Sequence, residues 1–538
     1  MVLLRRRNKS AKNTGSAQLQ EQEQEEATKA PPAPASKAKR RGKARPSPTG
    51  PERDPDVDLS HVAPLWGWRH PNSGRAVHVT PGIEYQGTTT QVCGLFPFTA
   101  GAGTPVIGTP IGRHQLHGEV VCLDPLEWLR EGLITNPGVF VLGQPGTGKS
   151  TFVKRLITGA VATGTRALIL GDSKPDYTDL VDYLGGQVIK IGRGLDRINP
   201  LDSGPLGKAL KRMEGHDAEK LRWEVRSRRL SLLLALCTLV RESPVTNAEE
   251  VLLGRAMDLL DRQLDDDREP TVPDVLRIIA QAPDELISSA RSRTKEDFER
   301  RTDELVFTLD LLCTGSLAGV FDDQTSRPID LDSPIVSVDI SATGGAGDKL
   351  LTAAMLCTWA YGFGLVDASA SLAQLGLAPR RFYMGVMDEL WRALRGAPGL
   401  VEHADSLTRL SRAKGMASVM VTHSLADLDA LTTEEDRAKA RGFVDRSAIT
   451  VMAGLPPREL AKVHEIMPMT ARERSMITSW AAPDSWQPDA RHPGRGKVMI
   501  KVQGRQGLPV DVTLTSAERR LYDTDMAIRT NPKKERRR

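Results

Sequence analysis

The run Gly143-Gln144-Pro145-Gly146-Thr147-Gly148-Lys149-Ser150 has the spacing G-x-x-x-x-G-K-[ST]. Glycines at these positions let the backbone curl so that its N–H groups face phosphate oxygens, and a helix starting at Lys149 adds its positive dipole end. Lys149 is then placed for the β- and γ-phosphates, and the Ser150 hydroxyl for the shell of a Mg²⁺ ion, with Thr151 following in the same first turn. The flanks suit this chemistry. An apolar strand, 138–143, precedes the loop, and an amphipathic helix over 149–162 follows it. Read this way, residues 143–151 bind ATP with Mg²⁺.

Such a loop needs a carboxylate on a neighbouring strand. The segment FYMGVMDE (382–389) ends in Asp388-Glu389, which supplies Asp388 as a Mg²⁺ partner and Glu389 as the base that polarises an attacking water. A third strand ends in Thr422-His423, where a polar side chain can sense the γ-phosphate or position water; His423 is the candidate. Upstream of it, Arg409 and Arg412 lie three residues apart and share one face of a helix. Either is a candidate arginine finger on a neighbouring subunit's nucleotide.

Apolar runs that alternate with helices must position these residues. Strands are expected at 138–143, 166–172, 187–192, 334–341, 382–389, 417–424 and 448–455, with a hairpin over 497–515. That pattern predicts an α/β fold: a P-loop NTPase core with a parallel-dominated sheet flanked by helices. Apolar residues at three- and four-residue spacing over 206–315 predict a helical insertion. Residues 1–55 read as a disordered basic tail and 56–120 as a small, mostly extended module containing Trp66, Trp68, Tyr85, Phe96 and Phe98. The core then runs as 121–205 and 316–525, and 526–538 is a second basic tail.

Charge divides along the same lines. The chain of 538 residues has a formal net charge of +5, of which residues 1–53 hold +8 and residues 529–538 hold +5, leaving −8 for the body. An acidic body argues against a broad basic DNA-binding surface, while basic tails suit nucleic acid or anionic lipid. No stretch approaches the roughly 18 to 20 apolar residues that span a bilayer, and the start, MVLLRRRNKS, lacks a secretory apolar run. Five widely spaced cysteines, with no CxxC pair, suit reduced thiols.

Several further segments resemble one family. Asp172-Ser173-Lys174-Pro175-Asp176-Tyr177, Leu184-Gly185-Gly186 and Ile198-Asn199-Pro200-Leu201-Asp202 occur in the order D-x-K-x-x-Y, GG, I-N-P-[LF]-D. Thr246-Asn247-Ala248-Glu249-Glu250, Pro270-Thr271-Val272-Pro273-Asp274, Val338-Asp339-Ile340-Ser341, Asp388-Glu389-Leu390-Trp391 and Arg412-Ala413-Lys414-Gly415 continue it, and the hairpin with Ser516-Ala517-Glu518 ends it. The series resembles the ATPases that energise type IV secretion and conjugative transfer, the VirB class within the FtsK–HerA superfamily, over roughly residues 120–525. The resemblance implies a cytoplasmic motor ATPase, acting as a homo-hexamer at the inner face of the membrane, that docks on membrane-embedded transfer-channel proteins. Two departures stand out. The family usually has Gln where this chain has His423, and its large N-terminal domain is expected here to be absent or shrunk to about 60–120 plus a tail.

Two other readings compete with this one. A soluble hexameric DNA translocase, similar to HerA or to the coupling proteins, would take DNA as its partner. A nucleotide-gated scaffold without turnover is opposed by the intact set Lys149, Ser150, Asp388 and Glu389.

Overall fold

The computed structural model describes residues 103–522 apart from 205–206, 208–209, 211–214, 265–267, 397–399, 402–403, 406–413, 432 and 482–493. Its strands are β1 (Thr109–His114), β2 (Val120–Leu123), β3 (Gly138–Leu142), β4 (Arg166–Asp172), β5 (Gln187–Lys190), β6 (Ile335–Asp339), β7 (Tyr383–Met387), β8 (Met416–Thr422), β9 (Ile449–Met452), β10 (Lys497–Val502) and β11 (Leu508–Val512). The helices over the first half are α1 (Pro125–Arg130), α2 (Lys149–Ala162), α3 (Thr178–Tyr183), α4 (His216–Arg241), α5 (Asn247–Gln263), α6 (Val272–Gln281), α7 (Asp284–Ser289) and α8 (Lys295–Thr314). Those over the second are α9 (Asp348–Gln374), α10 (Leu390–Leu394), α11 (Ala426–Asp429), α12 (Glu434–Arg446), α13 (Pro457–Ile466), α14 (Ala471–Ser479) and α15 (Ser516–Leu521).

All eleven strands form one sheet in the order β2-β1-β11-β10-β9-β3-β8-β7-β4-β6-β5. From β9 to β5 the neighbours run parallel, and from β9 to β2 they run antiparallel. The expected parallel-dominated sheet is therefore present, extended on one side by the C-terminal hairpin and by β1 and β2. Of the extended module placed at 56–120, residues 56–102 lie outside the described residues; β1 beyond them pairs with β11.

Apart from the edge strand β5, the parallel strands are buried on both faces, so they read as continuous apolar runs rather than alternating ones. Side chains still alternate across the sheet. Phe140, Leu142, Leu168 and Leu170 enter one core, built with α4 to α9. Val139, Val141, Ala167 and Ile169 enter the other, with Phe152, Leu156 and Trp128 from α2 and α1. The insertion helices start at strong caps: Thr246 with Glu249 closes a capping box on α5, and Thr271 with Asp274 closes one on α6.

Helix α9 corrects the statement that no stretch could span a bilayer. It is 27 residues long and, among the described residues, the one helix long and apolar enough to cross a membrane, yet 94% of its apolar window is buried inside the protein. Trp359 in its middle donates to the carbonyl of Leu170 at 2.9 Å. At Gly362 a Cβ would stand 2.4 Å from the Leu170 side chain, so the helix lies directly on β4.

Candidate active site

Register brings the three strand ends together. Leu142 of β3 pairs with Thr422 of β8, and Met420 of β8 pairs with Met387 of β7. The residues that follow, Gly143, His423 and Asp388-Glu389, therefore leave the sheet side by side. This is the carboxyl edge of the parallel strands, where open α/β sheets bind ligands.

The loop between β3 and α2 has the backbone its glycines predict. Gly146 and Gly148 have φ of 79° and 96°, in the left-handed region that favours glycine. At Gly143 a Cβ would stand 2.7 Å from that of Ala453. The Thr147 hydroxyl donates to the Gln144 carbonyl at 2.6 Å and braces the curl. Pro145 and Gly146 are exposed at its tip, and Ser150 and Thr151 are half-buried in the first turn of α2. No side chain caps that helix, which leaves the orphan N–H groups of its first turn for a ligand. This donor set fits a phosphate chain.

Lys149 is buried, with 7% of its surface exposed. Its ammonium donates to the carbonyls of Gly143 at 2.6 Å and Gln144 at 3.1 Å, and to His423 Nδ1 at 3.0 Å. Burial lowers its pKa to about 8, against the opposing pull of Asp388 and Glu389. Because an ammonium only donates, His423 Nδ1 is the acceptor and Nε2 carries the proton. That proton faces Glu389 Oε1 at 3.2 Å.

Glu389 is buried and has a φ of 53°, a left-handed conformation rare for a residue with a side chain. The strain follows from its place between the end of β7 and the start of α10. Its carboxylate accepts three donors: His423, Lys174 Nζ at 2.5 Å and Trp391 Nε1 at 2.6 Å. Burial works to raise this carboxyl, but the hydrogen bonds from His423 and Lys174 and the charge of Lys174 outweigh it and hold it well below the usual range. Asp388 behaves in the opposite way. Burial raises its pKa, and the hydroxyl of Tyr177 donates to Oδ2 at 2.9 Å.

Behind the pair lies a layer that the chemistry of the motifs alone does not reveal. Tyr177 is fully buried, and its backbone N–H donates to Asp172 Oδ2 at 3.1 Å. Burial raises the Asp172 pKa to about 7, opposed by that N–H and helped by Asp176, Asp388 and Asp339. Lys154, also fully buried, sits 5.7 Å from the centre of the Tyr177 ring. The run D-x-K-x-x-Y at 172–177 was the sequence signal for this layer, legible as a family likeness and not as a contact. Arg409 and Arg412 lie outside the described residues. Lys149, His423, Asp388 and Glu389 are brought together, with Ser150 one residue from Lys149.

No protein-family model and no curated protein matches the chain. Solved structures do. The chain shares its fold with VirB4 of Thermoanaerobacter pseudethanolicus at a TM-score of 0.58 and 18% identity, over 78% of this chain and 100% of that one. It is also similar to the plasmid coupling protein TrwB in complex with a non-hydrolysable ATP analogue, at a TM-score of 0.44 and 14% identity, over 77% of this chain and 97% of that one.

Proposed function

We propose that the chain is an ATP-hydrolysing motor of the VirB class that energises a type IV secretion or conjugative DNA-transfer apparatus. The observation that carries this reading is the continuous line of contacts Lys149–His423–Glu389 across three adjacent strand ends. The fold it shares with VirB4, along the whole of that chain, supports the same class.

Residues 143–151 hold the phosphates, and Ser150 and Asp388 hold Mg²⁺. Bound Mg²⁺ neutralises phosphate charge. Lys149 leaves its own loop carbonyls for the β- and γ-phosphate oxygens. Glu389 takes a proton from the attacking water, and His423, between Glu389 and Lys149, holds the orientation of both. Arg409 or Arg412 completes the site of a neighbouring protomer in a homo-hexamer. The motor works in the cytoplasm, peripheral to the membrane, against membrane-embedded channel proteins.

The test is steady-state ATP hydrolysis by purified protein, with and without double-stranded DNA and with Glu389→Gln as the blank. Turnover indifferent to DNA supports a channel-energising motor triggered by a protein partner. Strong stimulation that persists after both basic tails are removed would replace it with a DNA translocase.

A further inference from the structure

The Glu389 carboxylate is engaged on both oxygens. Oε1 takes Lys174 and His423, and Oε2 takes Trp391. A carboxylate that is to accept a proton from water needs a lone pair open to that water. Three donors take three of the roughly four acceptor sites of the carboxylate, and both of those on Oε1.

The three donors differ in how readily they leave. Trp391 is two residues along the same turn, and its ring is flanked by Arg392 and Arg395, whose guanidinium carbons lie 5.2 Å and 5.4 Å from it. His423 is tied at its other nitrogen to Lys149. Lys174 is different. Its side chain is 55% exposed, while that of Glu389 is 7% exposed. It is carried by the connection between β4 and α3, and a solvated ammonium on a four-carbon stem regains rotamer freedom when it lets go.

Resting on the ATPase reading above, we propose that Lys174 is a latch on Glu389. It is a positioning residue that, with His423, holds Oε1 closed to water until the segment carrying it is drawn away. The backbone agrees with this. Lys174 N and Tyr177 N both hydrogen bond to the Asp172 carboxylate, at 3.3 Å and 3.1 Å. The turn that carries the latch is thereby tied to Tyr177, whose hydroxyl holds Asp388. The latch and the proposed Mg²⁺ carboxylate share one anchor, so a pull on this turn that draws Lys174 off Glu389 is also felt at Asp388.

The experiment compares wild type, Lys174→Met and Lys174→Arg as full-length chains, without any partner. It reads kcat and KM for ATP hydrolysis, the affinity for a fluorescent ADP analogue and the melting temperature. Lys174→Met keeps the length of the side chain and removes its charge. The expected result is a rise in kcat of fivefold or more, with KM and ADP affinity within twofold of wild type and an unchanged melting temperature. Lys174→Arg restores a donor to the carboxylate, and turnover returns toward the wild-type rate. A Lys174→Met kcat equal to or below that of wild type overturns the latch while leaving the ATPase reading standing, because wild type still turns over. A raised kcat that Lys174→Arg shares also overturns it. If neither wild type nor Lys174→Met hydrolyses ATP, the underlying ATPase reading fails, and the latch fails with it.

Discussion

Lys149 makes nucleotide affinity depend on pH in a range where few side chains titrate. The perturbation is a change of pH from 7 to 9. In the free protein Lys149 is buried against its own loop, and burial brings its pKa to about 8. Phosphate oxygens would favour the ammonium and raise that pKa again on binding. The sign follows from linkage. A group whose pKa rises on binding contributes its full affinity below the free-state pKa and loses it as pH climbs above that value. With a free-state value near 8, the charged fraction falls from about nine-tenths at pH 7 to about one-tenth at pH 9, so affinity drops about tenfold, or about 1.4 kcal/mol. The assay is equilibrium titration with fluorescent ADP at half-unit steps of pH. Calorimetry at pH 8 in buffers of different ionisation heat should show uptake of about half a proton per nucleotide. Lys149→Met binds weakly and shows no break near pH 8. A wild-type affinity that is flat from pH 7 to 9, or a slope shared by Lys149→Met, would refute the argument.

Tyr177→Phe removes the hydroxyl that holds Asp388. A hydrogen bond to a charged group contributes about 1.5–3 kcal/mol, so the Mg²⁺ concentration for half-maximal nucleotide binding should rise by about tenfold or more, read by titrating Mg²⁺ at fixed nucleotide. Trp359→Ala in α9 empties a fully buried site and loses the bond to Leu170; chemical denaturation should show about 3–5 kcal/mol less stability. Glu473 joins α14 to the hairpin through buried Lys501 at 3.1 Å and Gly507 N. Burial pushes its carboxyl up, but the N–H groups of Thr470 and Gly507 and the Lys501 ammonium hold it below its ordinary 4.5. Its contribution is therefore present above about pH 4.5 and lost as pH falls further. The melting temperature of wild type should drop more steeply below that pH than that of Glu473→Gln, which starts lower because it leaves Lys501 unpaired.

The parts of the site that were legible in the sequence are those set by local spacing. The loop at 143–150 needs its glycines in fixed positions, and α2 begins and ends where the sequence places it, at Lys149 and Ala162. Asp388-Glu389 and Thr422-His423 each close an apolar run, and strand ends at the carboxyl edge of a parallel sheet are neighbours by topology. What stayed hidden depends on tertiary contact. Lys174 and Tyr177 lie more than 200 residues from the carboxylates they hold, and no spacing rule links them. Helix α9 was missed because it is buried all round, which removes the apolar stripe that marks a surface helix. The partnership of β1 with β11 is equally long-range, since hairpin strands pair locally by their turn whereas this pair is joined across the whole chain.

In the proposed ATP-hydrolysing site, Lys149 and Glu389 do different jobs. The most direct measurement is phosphate release from Mg²⁺–ATP, run beside nucleotide binding, for wild type, Lys149→Ala and Glu389→Gln. Wild type should turn over, Lys149→Ala should lose both binding and turnover, and Glu389→Gln should bind without turning over. Wild-type turnover in Lys149→Ala would contradict this assignment.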